Sequence, residues 1–134
     1  MKINTPISVG ELVDKLTILE IKSSMIKDED KLNEVKNEKE QLSQAFIEAV
    51  FSSTSVSKSQ FYALKADLYQ INLGLWHIED NIRECERNKD FGARFIRLAR
   101  DVYHTNDKRF EIKNQINQLT NSNVKEVKSY ESYS

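Results

Sequence analysis

Eight apolar residues recur through the middle of this chain at spacings of three and four without a miss: Phe61, Leu64, Leu68, Ile71, Leu75, Ile78, Ile82 and Cys85. Over 25 residues that alternation draws one line down an α-helix and fits no other regular structure. The helix would be about 37 Å long, and such a seam wants a partner along its whole length. Asn88-Lys89-Asp90-Phe91-Gly92 reads as a turn. After it the device repeats with Phe91, Phe95, Leu98, Val102, Ile112, Ile116 and Leu119. The two long helices are therefore expected to form an antiparallel hairpin. Thr105 and Arg109 take the two seam positions in between, so either the helix breaks there or polar groups face the core.

The first half of the chain supplies two further helices. Residues 1–7 read as an extended arm holding the lone proline, Pro6. Ser8-Val9-Gly10-Glu11 is a capping box, which starts a helix running from about Val9 to Met25 or Ile26. Asp28-Glu29-Asp30 puts negative charge where the next helix dipole favours it. Leu32, Val35, Leu42, Phe46 and Ala49 then form one apolar stripe, with Lys39 its polar intruder, ending near Phe51. The Ser-rich segment 52–59 reads as a flexible loop. The expected fold class is all-α: a four-helix-bundle-like domain of two helical hairpins with long third and fourth helices, both early helices packing on the late hairpin. Residues 1–120 would be a single helical domain with a short N-terminal arm, and 121–134 a polar C-terminal tail or docked arm.

Composition agrees and narrows the function classes. At 134 residues the chain has room for one domain. Three Gly and one Pro argue against a sandwich, a barrel or a Gly-rich phosphate loop. Lys plus Arg number 20 against 21 Asp plus Glu, which lacks the basic excess of a general nucleic-acid binder. One cysteine, Cys85, excludes an internal disulfide or a multi-cysteine zinc site, and in the seam it reads as a small core hydrophobe. A di-iron bundle needs two Glu-x-x-His pairs; the nearest approach is Asp101 to His104. No metal and no cofactor are expected. With no apolar run of membrane-span length and no signal-peptide core in MKINTPISVGEL, no membrane association and a cytoplasmic location are expected.

Some charged residues fit a plain bundle poorly. On the first helix Glu20 falls within the apolar arc of Val9, Leu12, Val13, Leu16 and Leu19, where a carboxylate is costly unless it pairs or reaches solvent. Glu11, Lys15 and Lys22 lie opposite and read as solvated, with Glu11–Lys15 an i,i+4 pair. The third helix sets Asn72, Trp76, Glu79, Arg83 and Glu86 beside the seam, with Glu79–Arg83 a surface pair and Trp76 a core or interface anchor. On the fourth, Arg100, Tyr103 and Asp107 share one face, and Asn106, Arg109 and Lys113 the next. An inward Arg109 requires a carboxylate, which Glu20 or Glu79 could supply. Such a pair serves equally as a register-fixing ion-pair layer or as part of a pocket.

Five blocks, SVGELVDKLTILEIK (8–22), LWHIEDNIRECE (75–86), FIRLARDVYHTNDKR (95–109), IKNQIN (112–117) and KSY (128–130), resemble an uncharacterised family of small all-helical bacterial and phage proteins, a domain of unknown function. The likeness spans almost the whole chain and is weak over 28–60. What it implies is contextual: relatives occur beside, or fused to, surface-polysaccharide and glycosyltransferase proteins. No residue role comes with it. Two other helical families fail on a required part. Glu11-Leu12-Val13-Asp14 resembles one magnesium element of the all-α nucleotide pyrophosphohydrolases, but their Glu-x-x-Glu is absent from the sequence, and the first helix lacks the arginine that helical chorismate mutases use.

Two functional readings remain. The first is a non-catalytic interaction module, a homo-oligomer or the binder of a partner helix, resting on the long seam and near-neutral charge. The alternative is a bundle that binds a small anionic ligand, phosphorylated or like a nucleotide-sugar, through Glu20, Glu79, Arg83, Arg100, Asn106, Asp107, Arg109 and Lys113. For hydrolysis or transfer the sequence offers no nucleophile–base pair.

Overall fold

Ser8 caps the first helix as its spacing predicts, its Oγ accepting from the Glu11 backbone N–H at 3.0 Å. The computed structural model describes residues 1–53 and 55–133; Thr54 of the expected loop and Ser134 of the expected tail lie outside them. Four helices follow in order: α1 (Val9–Met25), α2 (Glu29–Phe46), α3 (Lys58–Arg87) and α4 (Ala93–Leu119), with a π-helical turn at Ile47–Phe51. No strand is present among the described residues, and the helices pack as a bundle. No described helix is long and apolar enough to cross a membrane.

α3 and α4 form the expected antiparallel hairpin, but the early helices do not share it equally. α1 lies against α2, α3 and α4 together, whereas the backbone of α2 comes close to α1 and its own π turn. α1 is thus the central element, and α2 is not a second helix laid along the hairpin as the sequence suggested. α2 reaches α3 through its C-terminal end, where the Phe46 and Phe61 rings lie 5.3 Å apart. Leu12, Val13, Leu16, Phe46, Val50, Phe61, Leu68 and Ile116 form one buried core around that point.

The π turn corrects one detail of the α2 stripe. Ala49 is exposed and Val50 is buried, because a π turn winds one extra residue into the helix and passes the core-facing position along by one. Two boundaries also move. α3 already includes Lys58 and Ser59, capped by Ser57. Phe91 stays in the interhelical turn, half-exposed at 51%, so α4 begins after Gly92 rather than at Phe91.

α4 runs unbroken through Thr105–Arg109, which settles the choice left by its polar seam positions: the helix holds and Arg109 turns inward. After it, Ser122 is buried and ties the C-terminal segment to the start of α1. Val9 N–H donates to Ser122 Oγ at 3.1 Å and Gly10 N–H donates to Asn117 Oδ1 at 2.7 Å. With Ser8 serving Glu11, the first three N–H groups of α1 all have side-chain acceptors, two of them from the far end of the chain. The close approach depends on Gly10, since a Cβ there would stand 2.5 Å from the Lys113 carbonyl oxygen. That oxygen belongs to a helix backbone and cannot swing aside. Gly10→Ala should therefore lower stability by about 1–3 kcal/mol, read as a reduced urea midpoint with an unchanged slope.

Candidate functional site

Asp14 is the most unusual residue of α1. It is a carboxylate with 1% of its surface exposed, in a position where an unpaired charge would cost several kcal/mol. Two other helices satisfy it. Arg109 of α4 donates Nε to Oδ1 at 2.8 Å and Nη2 to Oδ2 at 2.5 Å, a bidentate pair. Asn72 of α3 donates Nδ2 to the same Oδ1 at 2.9 Å and to Thr17 Oγ1 at 2.9 Å. The Thr17 hydroxyl returns a hydrogen bond to the Asp14 carbonyl at 2.8 Å. The bond to Asp14, opposed by burial, holds the Arg109 guanidinium above its ordinary pKa.

The carboxylate that answers Arg109 is thus Asp14, and neither Glu20 nor Glu79 as the sequence suggested. The misreading has a physical origin. Val9, Leu12, Val13, Leu16 and Leu19 mark one arc of α1, and a helix covered on one side has one arc. α1 is covered on several, and its second buried line is Gly10, Asp14, Thr17 and Ile21. Those residues follow the same four-three-four spacing as the apolar seams, with small or polar side chains in place of oil at the first three. That spacing was the signal available in the sequence.

Arg109 is not closed in. Its side chain is 27% exposed and opens on a groove of about 550 Å³ lined by Ile18, Ile21, Asn72, Leu75, Trp76, Glu79, Asp80, Arg83, Asn106 and Arg109. A guanidinium carries five N–H donors. Asp14 takes two and Asn106 Oδ1 a third at 3.4 Å. One N–H on each terminal nitrogen has no protein acceptor among the described residues. Above it, Arg83 pairs with Glu79 at 2.7 Å, as the i,i+4 spacing predicted. Asp80 adds a second carboxylate to the rim.

Four of the eight sequence candidates, Glu79, Arg83, Asn106 and Arg109, therefore line one groove. The others lie elsewhere. Glu20 is half-buried and pairs with Lys65 of α3 at 2.7 Å. Lys113, 7% exposed, is held between Glu126 at 2.6 Å and Glu11 at 3.2 Å. Glu11 thus faces α4 and is not solvated opposite the core beside Lys15. Arg100 is exposed on a separate shallow cleft with Arg94, Arg97 and His104. Asp107 faces the C-terminal arm, accepting from the Tyr133 hydroxyl and lying 3.9 Å from Lys128. A cleft of about 860 Å³ between that arm and α4 is lined by Tyr103, Phe110, Tyr130 and Tyr133 among others, and Lys128 Nζ lies 5.2 Å from the Phe110 ring centroid.

The chain belongs to a family of unknown function, DUF6165, which it matches over residues 1–133. No curated protein and no solved structure matches it.

Two outcomes follow from the buried charges. Asp14→Ala leaves Arg109 and Asn72 facing an emptied layer and should cost about 3–5 kcal/mol. Asp14→Leu combined with Arg109→Met should cost less than either change alone, as a double-mutant denaturation cycle would show. The second concerns pH. Burial acts to lower the Lys113 pKa, but the hydrogen bond to Glu126 and the charges of Asp14, Glu11 and Glu126 outweigh it, so the ammonium is raised above 10.5. A raised folded pKa stabilises fully below the unfolded value and is lost as pH climbs through the folded one. Thermal melts either side of pH 10.5 should show the wild type losing stability more steeply than Lys113→Met.

Proposed function

We propose that this protein is a non-catalytic binding bundle whose α1–α3–α4 groove takes a small oxygen-rich ligand carrying an anionic group. The observation that supports this reading is Arg109: braced on one edge by a buried carboxylate, it presents its remaining N–H donors to the groove. Bracing matters because an arginine already fixed in place loses little side-chain freedom when a ligand arrives. The groove volume of about 550 Å³ falls in the usual range of about 300–1,000 Å³ for small-molecule sites.

The lining narrows the chemistry further. Ile18, Ile21, Leu75 and Trp76 give an apolar wall and one flat ring, suited to the less polar face of a sugar or a base. Arg83 and Arg109 are matched in number by Glu79 and Asp80, so a bare polyanion is not favoured. A phosphate or carboxylate on the arginine side, with hydroxyls donating to the two carboxylates, uses all four. A nucleotide-sugar has those parts. The groove residues include no cysteine, serine or histidine, and the two carboxylates that could serve as bases, Glu79 and Asp80, stand beside Arg83 with Glu79 paired to it, an arrangement that supports binding. The interaction-module reading is favoured by a different observation, the uncovered half of the α3–α4 hairpin, taken up below.

Calorimetry and thermal shift with UDP-glucose and with inorganic phosphate test the proposal. UDP-glucose should raise the melting temperature at millimolar concentration. Arg83→Ala and Trp76→Ala, which leave the Asp14 network intact, should each weaken binding about tenfold or more, some 1.4 kcal/mol. Absence of any shift with either compound, or a shift that both variants retain, would overturn it.

A further inference from the structure

The α3–α4 hairpin is covered along half its length. Beyond Leu75 the one fully buried residue of α3 is Cys85, and in α4 none is fully buried from Ala93 to Ile112. Yet Ile78, Ile82, Phe95, Leu98 and Val102 keep the seam spacing there, and all five are half-buried. Two helices alone can hide the line where they touch and little else; a third layer is needed to bury a seam from both sides. Nearer the other end α1 is that layer. Over the free half no helix among the described residues takes its place, the C-terminal arm lies against α4 from Tyr103 onward, and Phe91 and Ile96 stand 51% and 55% exposed.

The charges say which occupant fits. On α3 the free half carries Glu79, Asp80, Glu84 and Glu86 against Arg83 and Arg87; on α4 it carries Arg94, Arg97 and Arg100 against Asp101. Within the chain Glu79 is taken by Arg83, and Glu84 by Arg94 at 3.3 Å. Among the described residues Asp80 and Arg87 on one helix, and Arg97, Arg100 and Asp101 on the other, have no ion-pair partner. Counted over this half, α3 carries more acidic than basic residues and α4 more basic than acidic ones. A surface bearing both signs side by side is self-complementary under a two-fold axis, since each edge then meets its opposite twice.

We propose that a second copy of this chain packs on the free half of the α3–α4 hairpin, so that two hairpins make a four-helix bundle about a two-fold axis. α4 of one copy lies beside α3 of the other, bringing Arg97 and Arg100 to the partner edge that bears Asp80, with Ile96 and Phe91 buried in the contact. The two proposals share Asp80, which also lines the groove, but this one is read in mass, and ligand binding could fail without touching it.

Light scattering on the full chain is the test. The wild type should run at twice the chain mass at micromolar concentration. Ile96 is exposed in one copy, so Ile96→Glu should give a folded monomer with unchanged helical circular dichroism. Arg97→Glu with Arg100→Glu should raise the dissociation constant at least about tenfold, and adding Asp80→Arg to that pair of changes should restore association. A wild type of single-chain mass at high micromolar concentration overturns the proposal. So does a dimer that Ile96→Glu leaves intact, or a charge reversal that Asp80→Arg does not rescue.

Discussion

The burial of one carboxylate organises this bundle. Asp14 cannot be taken out of water on α1 unless donors from α3 and α4 arrive at the same point. Asn72 and Arg109 do so from helices that sequence separation keeps far apart. The hydrophobic seams alone would permit α1 to slide along the hairpin by a turn at modest cost, since one leucine-lined hole resembles the next. A buried charge with a bidentate partner has one acceptable register. Gly10 against the Lys113 carbonyl and Asn117 on the Gly10 N–H fix the other end of the same contact. α1 is thereby set at one height, with Ile18 and Ile21 along one wall of the groove and Arg109 part-covered beside them.

How far the sequence reached follows from which contacts repeat. The α3 and α4 seams could be read because a period of three and four over many residues has one explanation, and the uninterrupted α4 was one of two outcomes it allowed. Ser8 as a cap was equally plain, being local, and so was the acidic start of α2, where Asp28 proves to be the cap. What stayed hidden was non-local or aperiodic. The π turn that replaces Ala49 with Val50 breaks the period by its nature. The pairing of Asp14 with Arg109 joins residues of opposite ends of the chain, and Asp14 escaped because α1 was read as a helix with one wet side. The same assumption set α2 on the hairpin when it lies on α1. Glu79, Arg83, Asn106 and Arg109 were legible as misfits, and Asn72 and Trp76 as their neighbours on one edge of the third helix; Asp80 joined them at the groove through geometry alone.

The two halves of the molecule differ in how they are held. Around Phe46, Phe61, Leu68 and Ile116 side chains from all four helices and the π turn interlock, and a local opening there would expose most of the core. At the far end the hairpin is held by one line of half-buried contacts, Cys85, and surface pairs such as Arg94–Glu84. Exposed pairs of that kind contribute about 0–1 kcal/mol each. The bundle is therefore graded in stability along its long axis, with the groove at the boundary between its firm and its loose half.

That boundary bears on whether Asp14–Arg109 is glue or site. As glue it is an inefficient choice: apolar residues of similar volume would fill the layer with no desolvation cost, and exchanges of that sort are often neutral or stabilising. What an apolar pair cannot provide is a set of directional donors at a groove wall, immobilised in advance. The fully closed alternative would have hidden Arg109 along with Asp14; instead the carboxylate is at 1% exposure and the guanidinium at 27%. The buried partner takes up one edge of the arginine and leaves the other to the groove. Structural economy explains the first half of that arrangement, and the proposed binding role would account for the second.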